Sequence, residues 1–504
     1  MTLIDWAIVS FVLAGTVGIG FYTARRPGTN GKFIKGESTT KGYEGTHPAD
    51  DYIVSNREVG LFAFVAVNVS TWYGGILGIG EYSYRYGISS WFTQGFPYYL
   101  FALIFALFFA EKIRKTRLAT IPAKMKLEYG RKTAILAAIL VFILTSPAPY
   151  LLTAAEIVGT IFGVSPVLML FIIPIPLIAY LSFGGFRSNI KVDVFLFFFM
   201  FAGFVAAVIF LVGEYGSVGF LEKSLPADHL SLTGGSGFFY LLVWYLVASW
   251  TIADPGFHQR VYSARSAGVA KKGILISIIL WFVFDFFTNT SGLFARALEP
   301  GLSDPVSAFP ILARDHLPAG VRGLFLASMF ATVYTTLNSF IFLSGVTFSN
   351  DIVKEIIPLF GKSSSDKVSF SNGRVAEPVR EKRFNLKAWS GLGMLLSTGI
   401  AIFLCLAFRS IIDIWFYIGS LVVPALIFLI LGAYFPKLRL SERPAILQSV
   451  SVPITGGAWI IIRSYLPDNS FLVNIEPMIV GLFTGGSFFV FKLFNYRGEI
   501  RNVS

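Results

Sequence analysis

Apolar runs of about twenty residues recur along the chain and constrain its fold more than any other feature. Leu3–Tyr22 and Lys191–Val212 are two of them. An α-helix rises about 1.5 Å per residue, so a run of about twenty residues crosses the hydrocarbon layer of a bilayer. Only 14% of the residues are charged, whereas a soluble domain carries about 25%. We therefore predict an all-α integral membrane protein.

The spacing of these runs predicts about thirteen membrane-spanning helices. The first run lacks a basic leader and a small-residue cleavage site, so it is predicted to be a span and not a signal peptide. The predicted spans lie near residues 3–22, 60–80, 91–111, 133–162, 166–183, 191–213, 237–257, 272–296, 319–349, 388–408, 410–435, 447–465 and 472–491.

The basic residues predict the orientation of the spans, because Lys and Arg concentrate in cytoplasmic loops. With the N-terminus outside and the C-terminus in the cytoplasm, 34 of the 41 Lys and Arg residues fall in cytoplasmic segments and 7 outside. The net charge of +12 is thus interpreted as an orientation signal and not as a nucleic-acid footprint. We predict a multi-pass protein of the plasma membrane, the inner membrane in a bacterium.

A block with an odd number of spans leaves the next block in the opposite orientation in the membrane. Spans two to six and seven to eleven form two blocks of five, which predicts a five-plus-five inverted repeat. This division gives a preceding helix, a cytoplasmic loop, two five-helix repeats, and two additional helices with a short tail. The predicted segments are 1–22, 23–59, 60–213, 237–435 and 447–504. The loops 23–50 and 360–387 are polar and are expected to be mobile.

Glycine and proline interrupt the first predicted helix of each block. Span two contains Asn68 to Gly75, with paired glycines at its end, and span seven contains Asp254-Pro255-Gly256. Such residues release backbone groups from the helical ladder, and in lipid those groups must meet protein, water or a ligand. Each break is either a relieved kink or part of a binding site, and matching positions in the two blocks favour the binding site.

Span nine carries a stripe of hydroxyl residues on one helical face: Ser328, Thr332, Thr335, Thr336 and Ser339. Hydroxyl oxygens suit a small hard cation. They also suit ordinary helix packing in membranes, and spacing by itself favours packing.

Five short motifs resemble the sodium:solute symporters, the family of bacterial proline and sugar symporters and of animal glucose and iodide symporters. Together they cover about residues 1–435 in the family's order. They are Asp51-Tyr52 with Arg57 and Gly60, Thr120-Ile121-Pro122 with Tyr129-Gly130, Gly184-Gly185-Phe186-Arg187 with Asp193, His258-Gln259-Arg260 with Ser263-Ala264-Arg265, and Leu317 to Gly320 leading into Leu337-Asn338-Ser339.

The resemblance implies alternating access driven by a sodium gradient. It places sodium at backbone carbonyls of span two, Ala66 and Val69, and at Ser328 and Thr332 of span nine. The chain departs from the family at Ala331, where the family has an oxygen ligand. The consequence would be weak sodium affinity, a water molecule in place of the missing ligand, or coupling to protons instead of sodium. Asp193 is implied in sodium release, or else it is an exposed interfacial acid paired with Arg187 or Lys191.

The resemblance also implies a solute pocket beside the two breaks, at Asn68, Trp72, Tyr73, Trp250 and Asp254. The aromatic residues would stack on or gate a small solute, and Asn68 would hydrogen-bond it. Each also has an ordinary structural interpretation as a packing or helix-interior residue. A carboxylate within a span normally faces a partner or water, so Asp254 either binds a solute, cation or proton, or caps the following helix.

We therefore predict a sodium-coupled symporter of a small polar organic solute, with a solute, a sodium ion and the lipid bilayer as its partners and no nucleic acid. A proton-coupled symporter and a passive solute pathway remain open alternatives on the same fold. A membrane solute sensor is a further alternative, but a sensor usually carries a signalling domain, and about 13 residues follow the last predicted span. Catalytic motifs of enzymes are not found in the sequence.

Overall fold

The computed structural model describes residues 1–25, 48–360, 384–408, 411–467 and 470–501. This part of the chain is built from helices, and Val59 and Ala264 form an isolated β-bridge. Nine helices within it are long and apolar enough to cross a membrane. They are Leu3–Arg25, Trp91–Lys115, Arg131–Phe162, Pro166–Tyr215, Ala267–Leu298, Val321–Ile357, Leu386–Phe408, Tyr417–Tyr434 and Glu442–Arg463. The prediction of an all-α membrane protein is confirmed.

Shorter helices lie where the other spans are predicted. The second predicted span is divided into Leu61–Ser70 and Ile76–Tyr86, which we call the first broken helix. The seventh is divided into Phe238–Val247, Trp250–Ala253 and Pro255–Ser263, which we call the second broken helix. The other short helices are Pro48–Val54, Ile121–Tyr129, Val218–Ser224 and Ala308–His316, and the last helix is Pro477–Arg501.

A sharp kink replaces the loop predicted between spans five and six. Pro174–Tyr215 is helical throughout except at Gly185, whose φ of 59° and ψ of −151° lie outside the helical region. A continuous helix of 42 residues would be about 60 Å long, twice the thickness of the hydrocarbon layer. Together with the preceding helix Pro166–Ile172, the kink therefore divides the apolar stretch Pro166–Tyr215 into two parts of about membrane-spanning length. Only glycine fits, because a β-carbon there would lie 2.6 Å from the Tyr52 carbonyl oxygen.

The helix Val321–Val346 forms the centre of the molecule, and we call it the hydroxyl helix. It packs most extensively against Pro174–Tyr215 and also contacts Leu3–Arg25 and Leu386–Phe408. Because almost every residue of the hydroxyl helix is buried, burial does not distinguish its hydroxyl stripe from its other faces.

The N-terminal helix is fastened to this central helix by one buried carboxylate. Asp5 accepts hydrogen bonds from the backbone amides of Gly320 at 2.8 Å and Gly323 at 3.0 Å. It also forms an ion pair with Arg322 at 2.7 Å. A carboxylate at the first turn of a helix satisfies amides that have no partner within the helix. Asp5 thus caps the hydroxyl helix from another part of the chain.

The predicted mobile loops fall largely outside the described residues. Of the predicted loop 23–59, the structure describes the end of the first helix, the helix Pro48–Val54 and the turn that follows it. Most of the loop 360–387 likewise lies outside the described part of the chain.

Candidate functional site

The gap in the first broken helix, from Thr71 to Gly75, is joined to the hydroxyl helix by two side chains. Thr335 donates a hydrogen bond to the carbonyl oxygen of Ser70 at 2.8 Å. Thr336 donates to the carbonyl oxygen of Thr71 at 3.1 Å. These are carbonyls that the broken ladder releases. Side chains of a neighbouring helix therefore satisfy the first break.

Two glycines at the same gap make room for large aromatic rings. A β-carbon at Gly74 would lie 2.4 Å from the Tyr150 ring, and one at Gly75 would lie 1.7 Å from the Trp415 ring. Real β-carbons do not approach other heavy atoms so closely. The paired glycines are therefore required for the approach of Tyr150 and Trp415 as well as for the break itself.

The second break is satisfied mainly by its own residues. Asp254 has an extended backbone, and its Oδ1 accepts a hydrogen bond from the Phe257 amide at 2.8 Å. The Nε2 of His258 lies 2.9 Å from the carbonyl oxygen of Ile252, on the other side of the break. Because a carbonyl only accepts, Nε2 must carry the proton. The capping role considered for Asp254 is thus present.

A buried guanidinium connects the two breaks. Arg260, on the second broken helix, donates to Asn68 Oδ1 at 3.4 Å and to the Thr71 hydroxyl. A β-carbon at Gly256 would lie 2.9 Å from Asp254 Oδ1 and 3.3 Å from Arg260 Nη2. The acid and the cation therefore both lie close to the position that a Gly256 side chain would occupy. The Nδ2 of Asn68 is buried without a hydrogen-bond partner in the described part of the chain.

The predicted aromatic residues do not form one cluster. The Trp72 ring lies 4.8 Å from Trp281, measured between centroids, and Phe257 and Tyr98 contact it edge-on. Tyr73 donates to the carbonyl oxygen of Trp281 at 3.0 Å.

Trp250 packs against Gly419, since a β-carbon on that glycine would lie 2.6 Å from the Trp250 ring. Asn68, Trp72, Tyr73 and Asp254 thus lie around the two breaks, while Trp250 packs towards the helix Ile411–Tyr434.

The hydroxyls predicted to bind sodium donate within their own helix. Ser328 donates to the Phe325 carbonyl at 2.7 Å, and Thr332 donates to the Met329 carbonyl at 2.7 Å. This arrangement leaves oxygen lone pairs available for a cation. The carbonyl of Val69 accepts a long hydrogen bond, 3.3 Å, from the Trp72 amide.

Asp193 is fully buried, so the alternative of an exposed interfacial acid is wrong. Its carboxylate accepts hydrogen bonds from Asn189 at 2.5 Å and Asn338 at 3.2 Å. Arg187, the partner considered for it, pairs instead with Asp51 at 2.5 Å. The side chains that donate to the Asp193 carboxylate are neutral amides, and the Arg260 guanidinium lies within electrostatic reach of it.

Several residues of this region carried no strong sequence signal. Tyr150, Trp281 and Trp415 are aromatic residues within apolar runs, where aromatic side chains are common. Arg260 belonged only to a motif, because the predicted span ends at residue 257 and leaves it in a cytoplasmic loop; the structure instead buries it on the helix Pro255–Ser263. Thr335 and Thr336 belonged to the hydroxyl stripe but were not singled out from it.

The chemistry of the two breaks suits the binding of a polar organic solute. It combines an amide, a guanidinium, a carboxylate and aromatic faces in a region that is buried from water. Small-molecule sites have this character, with apolar walls and a few placed polar groups. Among the described residues, no cluster of three or more His, Cys, Asp or Glu side chains is placed to hold a metal ion.

Known proteins resemble this chain over most of its length. Residues 52–375 match the model of the sodium:solute symporter family. A sodium/pantothenate symporter of Haemophilus influenzae is 24% identical over 410 residues, which cover 77% of this chain and 80% of the relative. A sodium/glucose cotransporter of Vibrio parahaemolyticus is 24% identical over 427 residues, covering 75% and 73%.

Solved structures share the fold. A Na⁺-coupled sialic acid symporter in a substrate-bound outward-open state superposes with a TM-score of 0.73 at 16% identity, covering 97% of this chain and 98% of that one. A nucleobase-cation-symport-1 family transporter in a closed conformation gives a TM-score of 0.56 at 13% identity, covering 89% and 96%. The family match covers well over half of the chain. The chain belongs to the sodium:solute symporter family, and it is a multi-pass membrane transporter and not an enzyme.

Proposed function

We propose that this chain is a sodium-coupled symporter that moves a small polar organic solute across the plasma membrane by alternating access. The observation that carries the proposal is the connection between the two breaks, where Arg260 of one broken helix reaches Asn68 and Thr71 of the other. A solute bound between the breaks would contact both broken helices at once. Its binding could then change how they pack against each other, as alternating access requires.

The proposed architecture is a core of two inverted five-helix repeats, at 60–213 and 237–435. One helix at 1–22 precedes it, and two helices with a short tail at 447–504 follow it, giving about thirteen spans. The described helices and their two breaks support this division. The distribution of Lys and Arg supports an external N-terminus and a cytoplasmic C-terminus.

The proposed solute site comprises Asn68, Trp72, Tyr73, Trp250 and Asp254. The unpartnered Nδ2 of Asn68 is a donor that a solute oxygen would satisfy. One face of the Trp72 ring lies near Trp281 and its edges meet Phe257 and Tyr98, so a solute would enter an aromatic surround. The separate position of Trp250 against Gly419 suits a gating role better than direct stacking beside Trp72.

The proposed sodium site uses the carbonyls of Ala66 and Val69 and the hydroxyls of Ser328 and Thr332. The free lone pairs of those hydroxyls support it, since a hard cation is bound by oxygens. Asp193 lies on the hydroxyl-helix side of Pro174–Tyr215 and would receive the ion on its route. A proton-coupled symporter and a passive pathway are the alternatives on this fold, and a membrane solute sensor is the alternative of another class.

Thermal unfolding of the purified protein across a metabolite panel tests the proposal. The panel includes pantothenate, glucose and sialic acid, which the relatives' names suggest. A ligand that binds only the folded state increases the free energy of unfolding, by about 2.7 kcal/mol at a concentration one hundred times its Kd. The melting temperature rises accordingly. We expect one solute class to stabilise the protein more strongly with sodium than with potassium. Equal stabilisation in both salts would contradict sodium coupling.

Ala331→Ser tests the proposed sodium site directly. The new hydroxyl would supply the oxygen that the chain lacks there, so apparent sodium affinity should rise about two- to tenfold. A sodium titration of the melting temperature measures it without a solute. Ala327→Ser, one turn earlier in the same buried helix, is the matched control and should leave the affinity unchanged. If the melting temperatures of both variants depend on sodium in the same way, Ala331 does not belong to the sodium site.

A further inference from the structure

Asp285 is a buried acid that the proposed sodium and solute sites do not use. It lies within the spanning helix Ala267–Leu298 and is 4% exposed. The hydroxyl of Tyr99 donates to its Oδ2. Among the described residues, no Lys, Arg or His forms an ion pair with it. A carboxylate inside a membrane helix is costly and normally has a charged or aqueous partner, so its neutral surroundings require an explanation.

The hydroxyl groups around Asp285 leave a place for a proton on its carboxyl group. Tyr73 lies beside the carboxyl group, and its own proton is donated to the carbonyl oxygen of Trp281 at 3.0 Å. The Tyr73 oxygen is therefore left as an acceptor. A protonated Asp285 would donate to that oxygen while accepting from Tyr99, and both hydrogen bonds would be satisfied.

Two further polar groups on the same helical face have unused hydrogen bonds. Trp281 is fully buried and its Nε1 has no partner, and Asn289 is 7% exposed and its Oδ1 has no partner in the described part of the chain. With Asp285 between them, these residues are spaced four apart and form one column. Each step along the column is about 6 Å, which one water molecule bridges.

The groups packed around this column exclude other charges from it. Tyr73 and Tyr99 are the titratable side chains that face Asp285. On the outer half of the first broken helix, Glu81 pairs with Arg85 at 2.9 Å. On Pro174–Tyr215, the acid Asp193 accepts hydrogen bonds from Asn189 and Asn338. The same helix contributes Phe201 and Phe204, whose rings contact Phe284, the residue before Asp285. Phe309 contributes an aromatic face from Ala308–His316.

We propose that Asp285, together with Tyr99 and Tyr73, is a proton-binding site in the membrane interior, reached by water along the column of Trp281 and Asn289. A metal cation fits less well, because Tyr99 and Trp281 present hydrogens and the added oxygens, those of Tyr73 and Asn289, are both neutral. Tyr73 belongs to the first break, so the proton on Asp285 is linked to the conformation of that break. Only the link to solute transport rests on the proposed function.

Infrared difference spectroscopy of the full chain in liposomes tests the site with the proton as the probe. Spectra are compared over about pH 5 to 9, which includes the range of perturbed carboxyl groups. We expect a carbonyl band of a protonated carboxyl group that grows as the pH falls and is lost in Asp285→Asn. Tyr99→Phe should keep the band and move it to higher frequency, because one hydrogen bond to the carboxyl group is removed.

Glu156→Gln is the matched control, because Glu156 is another acid within an apolar helix, Ala148–Phe162. It should leave the band unchanged. A band lost in Glu156→Gln and kept in Asp285→Asn would overturn the assignment, as would a band that is absent or constant at every pH. The spectra are recorded without a solute, so this test is independent of transport. If the band is present but sodium does not drive uptake, the proton site stands and the proposed function is wrong.

Discussion

The two broken helices satisfy their released backbone groups in different ways. The first break spans several residues, and Thr335 and Thr336 of the hydroxyl helix bind its carbonyls. At Asp254 the second broken helix is interrupted by a single residue, and Asp254 and His258 of the same helix bind the released groups. The first break thus depends on a neighbouring helix, whereas the second is largely self-contained. We infer that the first break is the one that movement of the hydroxyl helix controls.

Substitution of Gly75 should have the largest effect on this comparison. In Gly75→Ala the new β-carbon would lie 1.7 Å from the rigid ring of Trp415. Overpacking of this kind costs about 1–3 kcal/mol or more. We expect a lower melting temperature and at least a several-fold loss of solute-dependent stabilisation.

Gly78→Ala is the control for that substitution, because its β-carbon would meet Trp415 at an ordinary 3.8 Å. It should be neutral or slightly stabilising, as alanine is in helices. Adding Trp415→Ala to Gly75→Ala should recover part of the lost stability. Wild-type stability in Gly75→Ala would mean that the first break does not need this close approach.

Substitution of Asp254 tests the self-contained second break and has a smaller expected effect. Asp254→Ala removes the cap on the Phe257 amide and should cost about 1 kcal/mol. Asp254→Asn keeps a capping oxygen and should cost little stability, yet it should weaken solute binding if the carboxylate contacts the solute as proposed. Melting temperature and solute titration separate the two roles. Equal destabilisation by Asn and Ala would show that capping is not what Asp254 supplies.

The smallest expected effect is the loss of one bond between the first break and the hydroxyl helix. Thr335→Val removes the hydrogen bond to the Ser70 carbonyl, and such bonds between membrane helices are worth about 0.6 kcal/mol on average. Thr398→Val is the matched control, because the buried Thr398 hydroxyl has no partner among the described residues. Melting temperatures should rank Thr335→Val below Thr398→Val, and the reverse order would contradict the proposed dependence of the first break.

The sequence was sufficient to predict where the helices break, because Gly74, Gly75 and Pro255 are locally incompatible with a continuous ladder. It also indicated the helical class and most of the apolar helices. These features depend on local composition, which is visible in a single sequence. At Gly185 the sequence predicts a loop, whereas the structure has a kink of one residue. The kink depends on the positive φ of Gly185 and on its close contact with Tyr52, which is distant in sequence.

The partners of the breaks could not be predicted, because they lie far away along the chain. Trp415 meets Gly75 across 340 positions of the chain (415 − 75), and nothing local distinguishes it from other aromatic residues in apolar runs. The burial of Asp193 was likewise hidden, since an acid at the end of an apolar run is equally typical of an interface. Its amide partner Asn338 lies on a different helix.

Uptake of the solute that stabilises the protein most, measured in proteoliposomes with an inward sodium gradient, tests the central claim most directly. We predict accumulation above the external concentration, lost when potassium replaces sodium and strongly reduced in Gly75→Ala but not in Gly78→Ala. Equilibration to the external concentration, with the same rate in sodium and potassium, would contradict sodium-coupled symport and favour a passive pathway.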